Sequence, residues 1–366
     1  MKKTLLLGLV LILAAGAVFA DDAKAMPKMV GRLWIAPTFG FAPAGYGTDG
    51  KYDPYGSGEG FLKMLNLGFA LEYGIIDWIT GAIQWAPGVN VWSDVDKNLS
   101  VLGGSGNTVN VNGVADLFAG AKVQIVGEKA PVKTDRIRFA LGPGVKIPLP
   151  GQDFEDQFKN TREGKTVTAS NLDYHVFGAG VRVYFDYIFN EHFFINLYNE
   201  TIFYPVEGDI DKASLTEYGT FYGVKNAAAF GGAGNNADAK VNYGYDLTFE
   251  LEPVYSTSLG DSGVTLTAGL PVNYKFTPGR TYSVSGGLNA TVNENIKANL
   301  KSRLTEDEPT HMFKVKPNIS FFFTKWILPT DIGITYGLPV WGKNNLARHE
   351  ITLKVKLYFA LPGAGN

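Results

Sequence analysis

Arg32, Asp116, Arg138, Arg182, Glu200, Glu250, Lys301, Lys316 and Lys354 share a setting: each is a charged residue in a run where polar and apolar side chains alternate. In an extended chain, successive side chains point to opposite faces, so this spacing gathers the charges on one side and leaves the other side apolar. Such a set can attract, order and select small ions or polar solutes in a water-filled interior, because rings of charge act at close range there. Across the whole sequence the polar face carries fourteen basic residues: Arg32, Lys122, Arg136, Arg138, Lys146, Arg182, Lys275, Lys297, Lys301, Arg303, Lys314, Lys316, Lys354 and Lys356. Eight acidic residues oppose them: Glu72, Asp116, Asp186, Glu200, Asp246, Glu250, Glu252 and Asp331. The excess of six positive charges, in a chain of net charge −2, predicts a path with some preference for anionic or polar solutes. Asp116, Lys301, Lys316 and Lys354 are expected near mid-height. The competing reading is that these charges pair across neighbouring strands and fill the interior, as buried charges must.

Other chemistries find less support. Gly260-Asp-Ser-Gly263 is like the nucleophile segment of serine proteases, but it falls in a short turn with no histidine placed to serve it. The four histidines, His175, His192, His311 and His349, have no metal-ligand spacing. There is no cysteine, which excludes disulfides, thiolate metal sites and a lipid-modified N-terminal cysteine. Gly56-Ser-Gly-Glu-Gly60 and Gly103-Gly-Ser-Gly106 lack the strand and helix context of a phosphate cradle. Acidic loop residues such as Asp94, Asp96 and Glu306-Asp-Glu308 are solvated or hold divalent cations at the surface. No catalytic residue, cofactor or metal is expected, and the small net charge gives no reason to expect nucleic acid as a partner.

The elements that must carry the charges are strands. From Met29 to Phe359 the alternation recurs in segments separated by turns of two to nine residues on one side and loops of up to about thirty on the other. Strand two shows it: Leu65, Leu67, Phe69, Leu71 and Tyr73 point one way, Asn66, Gly68, Ala70 and Glu72 the other. A soluble sandwich would show similar turns at both ends, whereas unequal loops fit a closed, up-and-down antiparallel transmembrane barrel. The segment 282–304 decides the strand count. Read as two strands around Asn293-Glu-Asn295 it gives 14; read as a hairpin above the membrane it gives 12, and either number keeps both termini on one side. Val109 to Ile125 is expected to be one wall strand. Pro143, Pro253 and Pro317 fall inside strands and predict bulges or shifted strand boundaries there.

The last segment, Glu350-Ile-Thr-Leu-Lys-Val-Lys-Leu-Tyr-Phe359, alternates without a break and ends in an aromatic. It resembles the closing strand of bacterial outer-membrane β-barrels, which pairs with the first strand. That resemblance implies a porin-like channel, integral to the outer membrane of a diderm bacterium. Its implied partners are outer-membrane lipid and lipopolysaccharide or its equivalent, the barrel-assembly machinery acting on residues 350–359, and small polar solutes. A 14-stranded count also resembles the long-chain fatty-acid transporter family, implying uptake of hydrophobic compounds. Tyr73-Gly-Ile-Ile-Asp-Trp78 ahead of a strand running to Pro87 looks like outer-membrane proteins grouped with aromatic-compound degradation. A further alternative is a surface adhesin acting through loops 42–60 and 207–240.

The ends and composition agree with export. Met1-Lys-Lys, the apolar run Leu5 to Val18 and the small residues of Val18-Phe-Ala20 predict a signal peptide at 1–20, because about 14 apolar residues are too few to span a bilayer as a helix. A short lead (21–28), the barrel (29–359) and a tail (360–366) follow. Aromatics at 13%, 44 glycines and charge of only 19% suit a wall with lipid outside and water inside.

Overall fold

The computed structural model describes residues 22–54, 62–95, 108–151, 166–171, 173–210, 237–286, 289–303 and 308–360. The expected signal peptide, most of the tail and the greater part of the longest loop lie outside those residues. Twelve wall strands run antiparallel: β1 (Val30–Ala42), β2 (Leu62–Ile76), β3 (Ile79–Val95), β4 (Leu117–Val126), β5 (Ile137–Ile147) and β6 (Gly178–Ile188). They continue with β7 (Phe193–Phe203), β8 (Tyr245–Ser258), β9 (Val264–Gly269 and Val272–Thr277), β10 (Thr310–Val315 and Asn318–Phe323), β11 (Thr330–Lys343) and β12 (His349–Ala360). The ring closes where β12 pairs with β1, from Val30 opposite Ala360 to Phe41 opposite His349. The closing strand thus takes the place its sequence implies.

Counted as hydrogen-bonded segments the sheet has fourteen members; counted as crossings the ring has twelve. The difference is two interrupted strands. Leu247 opposite Phe276 and Ser258 opposite Thr265 lie in one unbroken register along β8, so both halves of β9 belong to one line, and β10 behaves alike. The interruptions fall at Pro271 and Pro317, which have no N–H to give the ladder. The register runs through Pro253 and Pro317 unchanged, and Pro143 stays paired opposite Val181, so none of the three prolines makes a bulge; at Pro317 the strand boundary shifts instead, one segment ending at Val315 and the next starting at Asn318. Bulges occur instead between β2 and β3 beside Pro87, and between β10 and β11 beside Pro339.

The described residues of the segment 282–304 do not enter the wall. Thr281–Ser285 pairs with Asp238–Asn242, which pairs with Gly208–Ile210, in a separate three-stranded sheet, and Ala290–Arg303 is a helix, α1. The reason is a spacing that satisfies two periods at once. Val292, Ile296 and Leu300 alternate as a strand would, yet they are also four apart, and all three pack into one core. Asn289 caps the helix by accepting a hydrogen bond from the Val292 N–H at 3.0 Å. The expected strand from Val109 is corrected as well: Thr108–Asn112 pairs in parallel with Thr166–Asn171 outside the ring, and the wall strand begins at Leu117.

Elsewhere residue parity sorts the side chains as the alternation requires. On β2, Glu72 is 6% exposed and Leu71 45%. Ile351 and Leu353 on β12 are likewise exposed outside. An apolar outer surface of this extent would drive association in water; against acyl chains it has no such cost.

Candidate functional site

The inward face is a ladder of ion pairs set by register. Arg32 stands directly opposite Glu72, Arg138 opposite Asp186, Arg182 opposite Glu200, and Asp331 opposite Lys356. Each is a close pair. Arg32 Nε donates to Glu72 Oε2 at 2.7 Å with a second bond from Nη2, Arg182 Nε to Glu200 at 2.5 Å, and Lys356 Nζ to Asp331 at 2.9 Å, while Arg138 lies 3.5 Å from Asp186. Directly opposed unlike charges are the stabilising arrangement on a sheet face, and burial makes the partner of each indispensable. Lys316 reaches Glu250 at 3.1 Å, and Glu350 takes both Lys314 at 3.0 Å and Arg348 at 2.6 Å. Cross-strand pairing therefore partners five of the fourteen cations counted from the sequence with five of the eight acids, and Glu350, outside that count, takes a sixth, Lys314.

Aromatic rings hold two of the cations as well. The Arg182 guanidinium lies 3.6 Å from the centre of the Phe118 ring, and Lys354 sits 5.5 Å over Trp34. Phe118 can lie flat there because Gly144 faces it: a Cβ on Gly144 would come within 2.2 Å of the ring. On the β8–β12 side the interior stays open as a cavity of about 210 Å³, lined by Glu250, Lys316, Asn318, Glu350 and Lys354 among others.

The lead closes the end at which β1 begins. Asp22, Ala23, Ala25 and Met26 are buried inside the ring. The backbone N–H groups there are taken by inward side chains of different strands: Ala23 donates to Asp186 at 3.0 Å, Ala25 to Gln124 at 2.9 Å and Met26 to Thr80 at 2.7 Å. Lys122 Nζ in turn donates to the Asp22 carbonyl at 2.6 Å. Small side chains at 23 and 25 let an irregular segment enter, and every buried N–H must find an acceptor. Burial, with Arg138 nearby, lowers the Lys24 pKa to about 8.

The opposite mouth is capped by loops. Ile296 and Leu300 of α1, Ile210, Val241 and Tyr282 of the outer sheet, and Phe118, Ile202 and Tyr204 from the wall side form one buried cluster. Tyr174 stacks on Tyr243 with centroids 4.4 Å apart, and Tyr204 donates to Asp246 at 2.9 Å. Burial, reinforced by Asp246, raises the Tyr204 pKa far above its ordinary value. Asp116 accepts from the Leu149 N–H at 3.1 Å and lies 3.1 Å from His175 Nδ1. Burial opposes a charged His175 ring, but its bond to Asp116 and that carboxylate's charge outweigh it and hold the pKa above the usual histidine value.

The sequence-derived set therefore divides. Arg32, Arg138, Arg182, Glu200, Glu250, Lys316 and Lys354 face the interior; the last three with Glu350 border the cavity. Asp116 precedes β4 and belongs to the cap, so it is not at mid-height, and Lys301 belongs to α1, with Lys297 and Arg303, and not to a wall strand. Sequence reasoning missed the lead as a lumen element and Phe118 as the partner of Arg182. The small residues at 23 and 25 were the available signal.

Among solved structures, an outer-membrane channel from Pseudomonas putida F1 aligns over 94% of this chain and all of its own, with a TM-score of 0.58 and 14% identity. The chain has the fold of an integral bacterial outer-membrane β-barrel. More distant are a FadL homologue from Pseudomonas aeruginosa (TM-score 0.38, 9% identity, 94% of this chain and 95% of that one) and the TodX monoaromatic hydrocarbon channel (TM-score 0.39, 8% identity, 92% and 91%). No protein-family model matches the sequence, and no curated protein matches it.

Proposed function

We propose that this chain is an outer-membrane channel for small polar or anionic solutes, held closed here by the lead at one end and the loop cap at the other. The observation that carries the proposal is the cavity of about 210 Å³ between Lys316, Lys354, Glu250 and Glu350, enclosed by a wall whose outer surface is apolar. A lumen lined by fixed, mutually paired charges passes a solute that exchanges water for those charges, and rejects one that cannot. Passage needs the lead to leave, because its backbone occupies the inward acceptors Asp186, Gln124 and Thr80. The test is a planar-bilayer recording of the purified barrel with and without residues 22–27. The truncated chain is expected to give larger discrete conductance steps than the full chain; no steps from either would sink the proposal.

A second reading, uptake of hydrophobic compounds, has one observation in its favour. Leu270, Lys316 and Tyr336 donate an N–H to Pro253, Pro271 and Pro317 respectively, across the four adjacent strands β8 to β11, and no proline can return the bond. The wall beside the cavity is thus stitched by half its usual hydrogen bonds along a diagonal. Acyl or aromatic density in the cavity after extraction, with no conductance, would favour that reading.

A further inference from the structure

The cavity of about 210 Å³ has a floor that lacks side chains at two points. On β11 its lining runs Gly333, Thr335, Gly337, and on β12 Lys354 stands opposite Gly333, Thr352 opposite Thr335, and Glu350 opposite Gly337. Two charged side chains of opposite sign therefore each face a residue with nothing to fill the space, which leaves the interior hollow there. Asn318 shares the middle row with Thr335 and Thr352, and its amide donates to Glu252 at 2.8 Å. Lys354 lies one step nearer the lead, and such a step of two strand residues covers about 7 Å. Four carboxylates border the cavity, Glu250, Glu252, Asp331 and Glu350, with three ammonium groups, Lys316, Lys354 and Lys356. Lys314 and Arg348, which hold Glu350, bring the cations to five. Either count balances to within one charge, unlike the excess of six over the whole polar face.

A lone anion entering this space is attracted by the lysines and repelled by the carboxylates beside them, and a lone cation meets the reverse. A solute that carries both signs gains at both ends, because the field between Glu252 and Lys354 has a direction as well as a strength. Those two charges are already held in place, Glu252 by the amides of Asn196 at 3.2 Å and Asn318, Lys354 over the Trp34 ring, so a solute meets fixed groups and spends little on ordering them. Ser320, Thr335 and Thr352 add hydroxyls that donate or accept. At roughly 10–15 Å³ for each water, the volume admits a short organic solute with some of its water. We infer that this cavity is the binding station of a small dipolar solute, its ammonium end turned to Glu252 and its carboxylate end to Lys354. The inference rests on the channel reading and narrows its solutes from polar or anionic to dipolar.

The test uses the full chain in detergent and saturation-transfer NMR with three probes of similar length: 4-aminobutyrate, which carries both charges, butyrate, which carries one, and 4-hydroxybutyramide, which carries none. 4-Aminobutyrate is expected to bind saturably and about tenfold more tightly than either of the others, since each charged end adds a charge-assisted hydrogen bond. Glu252→Gln and Lys354→Gln should each remove that advantage, and the comparison of probes on the parent chain decides the matter even where a variant fails to fold. No binding, equal binding of all three, or tighter binding of butyrate would overturn the inference, while conductance steps from the same barrel would leave the channel reading standing. Saturable, selective binding without conductance would support the site and sink the channel.

Discussion

At one mouth the lead enters the barrel and is pinned by single hydrogen bonds from its backbone to side chains on separate strands; at the other, α1 and a small sheet bury Ile296, Leu300, Val241 and Tyr282 in a shared apolar core. The first closure is polar and modular, since each bond can be lost without the others. The second is cooperative, because removing one packed side chain opens a void that its neighbours must fill. Closures of such different construction respond differently to the loss of a single contact.

The largest effect that bears on this contrast comes from the wall supporting the lead. Glu72→Gln strands the buried Arg32 guanidinium beside it and is expected to lower barrel stability by about 3–5 kcal/mol, read by urea unfolding in lipid vesicles. A loss below 1 kcal/mol would mean that water reaches that pair. In the cap, Leu300→Ala should cost about 2–5 kcal/mol, confined to the outer domain, so hydrogen exchange should rise across α1 and Asp238–Asn242 while β1 and β2 stay protected. Protection lost equally in the lead would erase the distinction between the two closures.

Proton dependence separates them further. His175 faces Asp116, Asp173 and the Leu149 carbonyl, and its folded pKa is raised, so its contribution to the cap is complete below about pH 6.5 and is lost as pH rises through the folded value. Lys24 is shifted the other way: its folded pKa near 8 lies below 10.5, so the lead gains stability as pH climbs through that interval. Alkaline titration should therefore loosen residues 173–177 while tightening 22–26, and His175→Gln should flatten only the first response. The smallest effect is on selectivity. Lys354→Glu should move the reversal potential toward cations, whereas Lys301→Glu, on the cap helix, should leave it unchanged.

Much of the wall was legible before any coordinates. Strict alternation around Glu72 and along Ile351–Phe359 fixed which side chains face inward, because a strand offers only two directions. Tyr282–Leu304 was not legible: residues at 292, 296 and 300 satisfy a repeat of two and a repeat of four together, and only the core beneath them selects the helix. The charges were legible as a set but not as pairs. Which acid meets Arg182 depends on the register of β6 against β7, a property of the tight turn between them.

By itself, then, the sequence determined a lipid-facing and a water-facing side, the unequal loops and the strand that seals the ring, since all of these follow from local periodicity and from hydrogen-bond satisfaction in a bilayer. Only the tertiary structure decided that the lead turns into the lumen, that Asp116 and α1 cap the opposite mouth, and which interior charges pair with which. Those outcomes depend on contacts between residues as far apart as Ala23 and Asp186, whose proximity exists only once the cylinder has closed.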